Sequence, residues 1–183
     1  MKNMQQLTAK KILPLICLLF LGFTATAQNA EQQEIIDDAQ QAMQAFIAKD
    51  ADIEKLFNTS EGYVIFPNVG KGAYIVGGAS GNGAVYQQGK LIGMADLKQL
   101  DVGLQLGGQA FSQVIFFGNQ QVLEDFKEGE FELSGTASAV ALDKGAAETI
   151  RFKDGVAIAT LPKAGAMIEV SVGGQKFQFE PLK

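Results

Sequence analysis

The chain has no histidine, no tryptophan and, among 183 residues, a single cysteine, Cys17. Without histidine, the commonest general base and metal ligand is missing. Zinc sites of the usual kinds need Cys or His, so the mature protein is expected to hold no metal and no cofactor. Positive charge is also short: 15 Lys and Arg stand against 20 Asp and Glu. An acidic chain does not track nucleic acid or anionic bilayers through bulk electrostatics, so no nucleic-acid partner is expected. Any anionic ligand would need a local basic pocket. The apolar run over 12–23 is too short for a membrane anchor, which takes roughly 20 residues.

That run belongs to a three-part pattern. Lys2, Lys10 and Lys11 precede it, and the small-residue triplet Ala25-Thr26-Ala27 follows. This is the layout of a secretory signal peptide over 1–27. Lipidation at Cys17 is disfavoured, because Ile16 replaces the small residue expected before a lipidated cysteine. Cleavage after Ala27 would export residues 28–183 to the periplasm or beyond, a length for one domain with a real core. The exported chain would lack cysteine and carry twelve bases against twenty acids, a net charge of −8.

Helices come first, then strands. Ile35, Ile36, Ala39, Ala42, Met43, Phe46 and Ile47 recur at the spacing of one helical face, and a second short helix follows with Ile53, Leu56 and Phe57 inward. Gly62 is placed to stop it. Residues 30–60 therefore read as helical and 63–180 as mainly β, with a helix near 119–128 that turns Val122, Leu123 and Phe126 to one side. The strand texture is short runs rich in β-branched and aromatic residues, punctuated by glycine: YVIFP, GAYIVGG, GAVYQQ, KLIGMA, DVGLQLGG, SQVIFFG, FELSGTASAVAL, TIRFKDGVAIATL and AGAMIEVSVGGQKFQFE. Asp154-Gly155 and Gly173-Gly174 suit two-residue hairpin turns. The expected fold is α+β, a curled antiparallel sheet of about nine to eleven strands, sandwich or barrel-like. N-terminal amphipathic helices pack on it, and one further helix lies between strands.

Motifs that carry chemistry are few. Asp50, Asp52 and Glu54 hint at calcium spacing, but the loop glycine and later glutamate of an EF-hand are absent, so they read as a solvated helix start. Glu124, Asp125, Glu128, Glu130 and Glu132 read as a solvated helix face and turn. No G-x-S-x-G nucleophile motif occurs. Nothing supports an enzyme; an unrecognised carboxylate pair is the residual hydrolase reading.

The stretch GKGAYIVGGASGNGAVYQQGK over 70–90 holds seven glycines, with Lys71 and Lys90. A P-loop places four residues between its first glycine and Gly-Lys, then Ser or Thr. Here Gly83 and Gly89 enclose five, and Leu91 follows Lys90. No helix follows to supply a phosphate-binding N-terminus. The stretch reads instead as strand, tight turn, strand, with Gly81-Asn82-Gly83 at positive φ in the turn and Gly77 and Gly78 at a bulge or a close backbone packing where the sheet curls.

The ordered blocks SEGYVIFPNVGKGAYIVGGASGNGAVY, DVGLQLGGQAFSQVIFFGNQQVLEDF and ELSGTASAVA make residues 52–183 resemble the SYLF family of lipid-binding domains. The resemblance implies a non-enzymatic module and places Lys71, with Gly70 and Gly72, in the first shared block. Two segments depart from the family pattern. IGMAD lacks its tryptophan and proline, and LDKGAAE lacks its arginine, leaving Lys144 nearby. The expected site is a headgroup pocket at Gly70, Lys71 and Gly72 of the shared block, with Lys90 and Lys144 as further candidate lysines. The implied function is a lipid-binding module of the bacterial cell envelope, with phospholipid or a membrane surface as partner. The alternative is a structural or interaction domain that binds envelope proteins and no lipid.

The triplet before Gln28 generates a direct test. Intact mass of protein recovered from its native host should match a chain beginning at Gln28. A diacylglycerol-bearing species beginning at Cys17 would overturn this.

Overall fold

The structure, a computed structural model, describes residues 30–70, 78–100, 110–129, 131–133, 139–163, 172 and 174–182. The chain divides into two compact units, 1–34 and 35–183. Only 30–34 of the first are described, as the opening of a helix, and the fold below is that of the second.

Among the described residues, seven strands build the fold: β1 (Gly62–Gly70), β2 (Gly78–Gln87), β3 (Lys90–Leu100), β4 (Ala110–Phe117), β5 (Val140–Ala141), β6 (Val156–Pro162) and β7 (Gln175–Pro181). They form one sheet in the order β5-β6-β4-β1-β2-β3-β7. All neighbours pair antiparallel except β5 and β6. Helices α1 (30–49), α2 (Glu54–Thr59) and α3 (Gln120–Lys127) accompany the sheet, with short 3-10 turns at Ala51–Ile53 and Ala146–Thr149. The α+β class and the largely antiparallel sheet match the sequence pattern.

Strand β1 reads YVIFP, apolar without alternation, because both its faces are covered. Tyr63 and Ile65 face one buried cluster with Ala39, Ala42 and Phe46 of α1 and with Ile53 and Phe57. Val64 and Phe66 face the other, with Leu97, Phe117, Phe126 and Phe177. Pro67 has no N–H to give a ladder, which is tolerable in a central strand only at an irregularity. The pairing shifts there on both sides of β1, between Phe66 and Val69 toward β4 and between Ile65 and Gly70 toward β2. The Pro67 carbonyl still accepts a hydrogen bond from Ser112 Oγ at 2.8 Å.

The sheet curls strongly. Strands β4 and β7 stand four places apart, about 19 Å in a flat sheet. Yet Gln113 Nε2 of β4 donates to Gln175 Oε1 of β7 at 2.7 Å. The Phe66 and Phe177 rings lie 5.7 Å apart, and the Phe126 ring of α3 fills the same interior 5.6 Å from Phe177. The curled sheet nevertheless stays open, with β5 and β7 as its edges. Among the described residues it is therefore one open sheet and not a closed barrel.

Several expectations change. Gly81-Asn82-Gly83 is not a turn; it lies inside β2, paired with β3 through Leu97, Asp96 and Ala95. The chain reverses at Gln88-Gly89, both at positive φ (49° and 75°). Gly81 and Gly83 serve the curl instead. A Cβ on Gly83 would sit 2.6 Å from the Ile65 carbonyl oxygen and 2.7 Å from the Phe66 ring. Gly62 opens β1 and does not stop α2, which ends at Thr59 with Ser60 already extended. TIRF forms no strand: a 3-10 turn and an extended run lead into the Asp154-Gly155 turn. That turn is as expected, with both residues at positive φ. Fewer strands are described than the nine to eleven expected. Most of GAYIVGG, DVGLQLGG and AGAMIEVSV, with the Gly77 bulge, lies outside the described residues.

Close packing at Gly83 makes a sharp prediction. Gly83→Ala should cost about 1–3 kcal/mol through overpacking, read as a Tm lowered by about 2–4 °C per kcal/mol. Gly70→Ala, with nothing within 4 Å of the added carbon, should leave the Tm nearly unchanged. Equal Tm values for the two variants would contradict this role.

Candidate functional site

Tight turns close one end of the sheet, at Gln88-Gly89 and Asp154-Gly155. The Asp154-Gly155 turn is clamped by reciprocal Lys153–Val156 backbone hydrogen bonds of 2.9 and 3.0 Å. Gly155 is doubly required, because a Cβ would strain its φ of 79° and strike Val122 at 2.7 Å. A hydrogen bond of 2.8 Å from Gly118 N to the Gly155 carbonyl fixes the turn beside the start of α3.

A cleft of about 460 Å³ opens between this turn, α3 and the 131–133 segment. Leu133, Val140, Val156 and Ile158 give it an apolar floor, and Val122 and Phe131 lie toward α3. Its size is that of a small-molecule site. Charges gather on the walls: Arg151 and Lys153 lead into the turn, with Asp154, Asp125 and Glu132 near them. Two acids are engaged. Gln121 Nε2 donates to Asp125 Oδ1 at 2.8 Å, and Lys176 lies 3.7 Å from Glu132. Arg151 is held in place by its own turn, donating from one guanidinium nitrogen to the Ile150 carbonyl at 2.9 Å and to the Glu148 carbonyl. The Lys153 ammonium has no partner among the described residues. Between the two cations, Phe152 packs beside Gly118 yet stays 43% exposed.

The wall carrying Arg151 is tied to the helical layer by Asp50. Its Oδ2 accepts from Ala147 N at 2.8 Å across 97 residues, and its Oδ1 accepts from Asp52 N at 3.2 Å. Asp50 is therefore buried and capping two elements, a correction to its reading as a solvated helix start. The Ala147 N–H, followed by those of Asp52 and Gly145, holds the Asp50 carboxyl below its ordinary value of 3.8 against the opposing effect of desolvation.

The inner face of β6 runs Val156, Ile158, Thr160, from cleft floor into the sheet's interior. Thr160 is fully buried, and its Oγ1 has no hydrogen-bond partner among the described residues. Gln113 stands directly opposite on β4. Gln113 and Gln175 exchange amide hydrogen bonds, 2.7 and 3.1 Å, and Gln175 Nε2 also reaches Gln99 Oε1 at 3.2 Å. Under α1, a second cleft of about 290 Å³ is lined by Asp38, Ser112 and Lys163. Its polar groups are satisfied internally: Asn68 Nδ2 donates to Asp38 Oδ2 at 2.8 Å and Lys163 donates to Asn68 Oδ1.

The residues singled out from sequence are not gathered. Gly70 ends β1, while exposed Lys90 begins β3 at the opposite end of the sheet, roughly 25 Å away along the strands. Exposed Lys144 occupies the turn before Ala146. Lys71 and Gly72 lie outside the described residues. The sequence reading missed Arg151, Lys153, Thr160 and the glutamines. A signal existed for Gln113 and Gln175, which occupy apolar phases of alternating strands (Phe111, Gln113, Ile115; Gln175, Phe177, Phe179).

Among the described residues, no three of His, Cys, Asp or Glu converge to hold a metal ion, and no helix is long and apolar enough to cross a membrane. No protein-family model matches the chain, and no curated protein matches it.

Because its folded pKa is lowered, Asp50 contributes stability that is complete above pH 3.8 and is lost as pH falls through the lowered value. Asp50→Ala should therefore flatten part of the acid limb of a Tm-against-pH profile measured between pH 2 and 6. An acid limb identical to wild type would deny the cap this role.

Proposed function

We propose that the protein is a non-enzymatic lipid-binding module of the cell envelope that takes an amphiphile into the cleft beside α3. The observation that carries this reading is an apolar floor lying directly beside two cations, Arg151 and Lys153. An acyl chain matches the floor, and an anionic headgroup matches the cations. The ordered blocks that resemble SYLF lipid-binding domains support the same class. The chain's overall negative charge, with Asp125, Glu132 and Asp154 on the same walls, confines the attraction to the immediate reach of the two cations.

Each exposed basic contact near an anionic surface contributes about 1 kcal/mol. Removing both in Arg151→Gln/Lys153→Gln should weaken flotation with phosphatidylglycerol vesicles by roughly 30-fold. Binding by the wild type should fall as salt rises. Lys90→Gln/Lys144→Gln, at positions that do not line the cleft, should float as wild type. Absence of flotation with any vesicle would replace this reading with an interaction domain for envelope proteins.

A further inference from the structure

The cleft beside α3 carries charge of both signs around its apolar floor. Glu132 is answered by Lys176 at 3.7 Å. That leaves two cations, Arg151 and Lys153, and two acids, Asp125 and Asp154, on the walls. A ligand charged with one sign alone would be attracted by part of this set and repelled by the rest. Lys153 and Asp154 are also neighbours in the turn, both exposed and both lining the cleft. No ion pair joins them, and neither has another partner among the described residues. An exposed ion pair is worth little by itself, so the turn does not hold these two charges together. Both stay available to a ligand.

We propose that the cleft selects a zwitterionic phospholipid, one whose headgroup joins its phosphodiester to a primary ammonium. This rests on the amphiphile reading above and narrows it to a headgroup of no net charge. The phosphodiester oxygens meet Arg151 and Lys153, the ammonium meets the Asp154 carboxylate, and an acyl chain lies over Leu133, Val156 and Ile158. Backbone carbonyls of Glu148 and Ile150 hold one guanidinium nitrogen of Arg151, and its other N–H groups remain for an oxyanion. Asp125 has one oxygen committed to Gln121. Asp154 is therefore the acid with both oxygens unused among the described residues. Consecutive Cα atoms stand about 3.8 Å apart. Opposite charges on neighbouring side chains thus suit a ligand whose own charges are joined by a short link, as in ethanolamine.

Dihexanoyl phosphatidylethanolamine and dihexanoyl phosphatidylglycerol share phosphodiester and chains and differ only in the head alcohol. Titrated calorimetrically as monomers into the full exported chain, the ethanolamine lipid should bind about three- to fivefold more tightly, the scale of one exposed ion pair. Asp154→Asn should remove this preference and keep the wild-type Tm, because Asn-Gly favours the same two-residue turn. Phosphatidylglycerol should bind that variant at least as tightly as it binds wild type. Equal affinities in wild type, tighter binding of phosphatidylglycerol, or a preference unchanged in Asp154→Asn would overturn the inference while leaving the amphiphile reading in place. Binding of neither lipid would overturn both.

Discussion

Where the Phe66 ring crosses β2, it meets Gly83, and the contact works only because position 83 has no side chain. A Cβ there would collide with the ring and with the Ile65 carbonyl together, so the two strands would have to separate. Glycine lets them cross closely, and the crossing sets how sharply the sheet bends. The same device recurs one strand further on, where a Cβ on Gly93 would lie 2.3 Å from the Phe179 ring. Aromatic side chains from strands distant in the order then meet in one interior, and α3 adds Phe126 to it. Helices α1 and α2 cover the opposite face, where Tyr63 and Tyr86 stack at 5.1 Å. Burial there, followed by the neighbouring Tyr63, pushes the Tyr86 hydroxyl up to about 12.

This bend also produces the site. A flat sheet would keep β4 and β7 apart and leave Gln113, Gln175 and Gln99 facing solvent or apolar neighbours. Curling brings the three amides together, so that most of their hydrogen-bonding capacity is met internally. Capacity left over falls at Thr160, on the strand that also floors the cleft. The opposite rim is set by a different force. The Asp154-Gly155 turn and the Asp50 cap hold Arg151 and Lys153 at the cleft mouth, beside Asp125, Glu132 and Asp154.

The sequence was legible wherever one residue type has one dominant use. The α1 face (Ala39, Ala42, Phe46), the α3 face (Leu123, Phe126) and the Asp154-Gly155 turn all follow from local periodicity or local backbone preference. Glycine was less legible because it serves two purposes. Gly81-Asn82-Gly83 has the composition of a turn, but close approach between β1, β2 and the Phe66 ring claims those positions, and no local signal separates the two uses. Lysines were ambiguous in another way. Lys90 sits beside a glycine cluster in sequence and at the far end of the sheet in space, whereas Arg151 and Lys153 flank a phenylalanine with no motif to mark them.

The sequence by itself determined the helical and strand segments, the scarcity of catalytic and metal-binding side chains, and an apolar content sufficient for a sheet covered on both faces. Those properties reside in each residue and its near neighbours. Tertiary structure decided which strand ends meet, which of the glycines turn and which merely make room, and which amides share an interior. Each of those outcomes depends on how far the sheet bends. The bend is the sum of contacts between residues tens of positions apart, such as Gln113 with Gln175 and Asp50 with Ala147, and no local pattern encodes it.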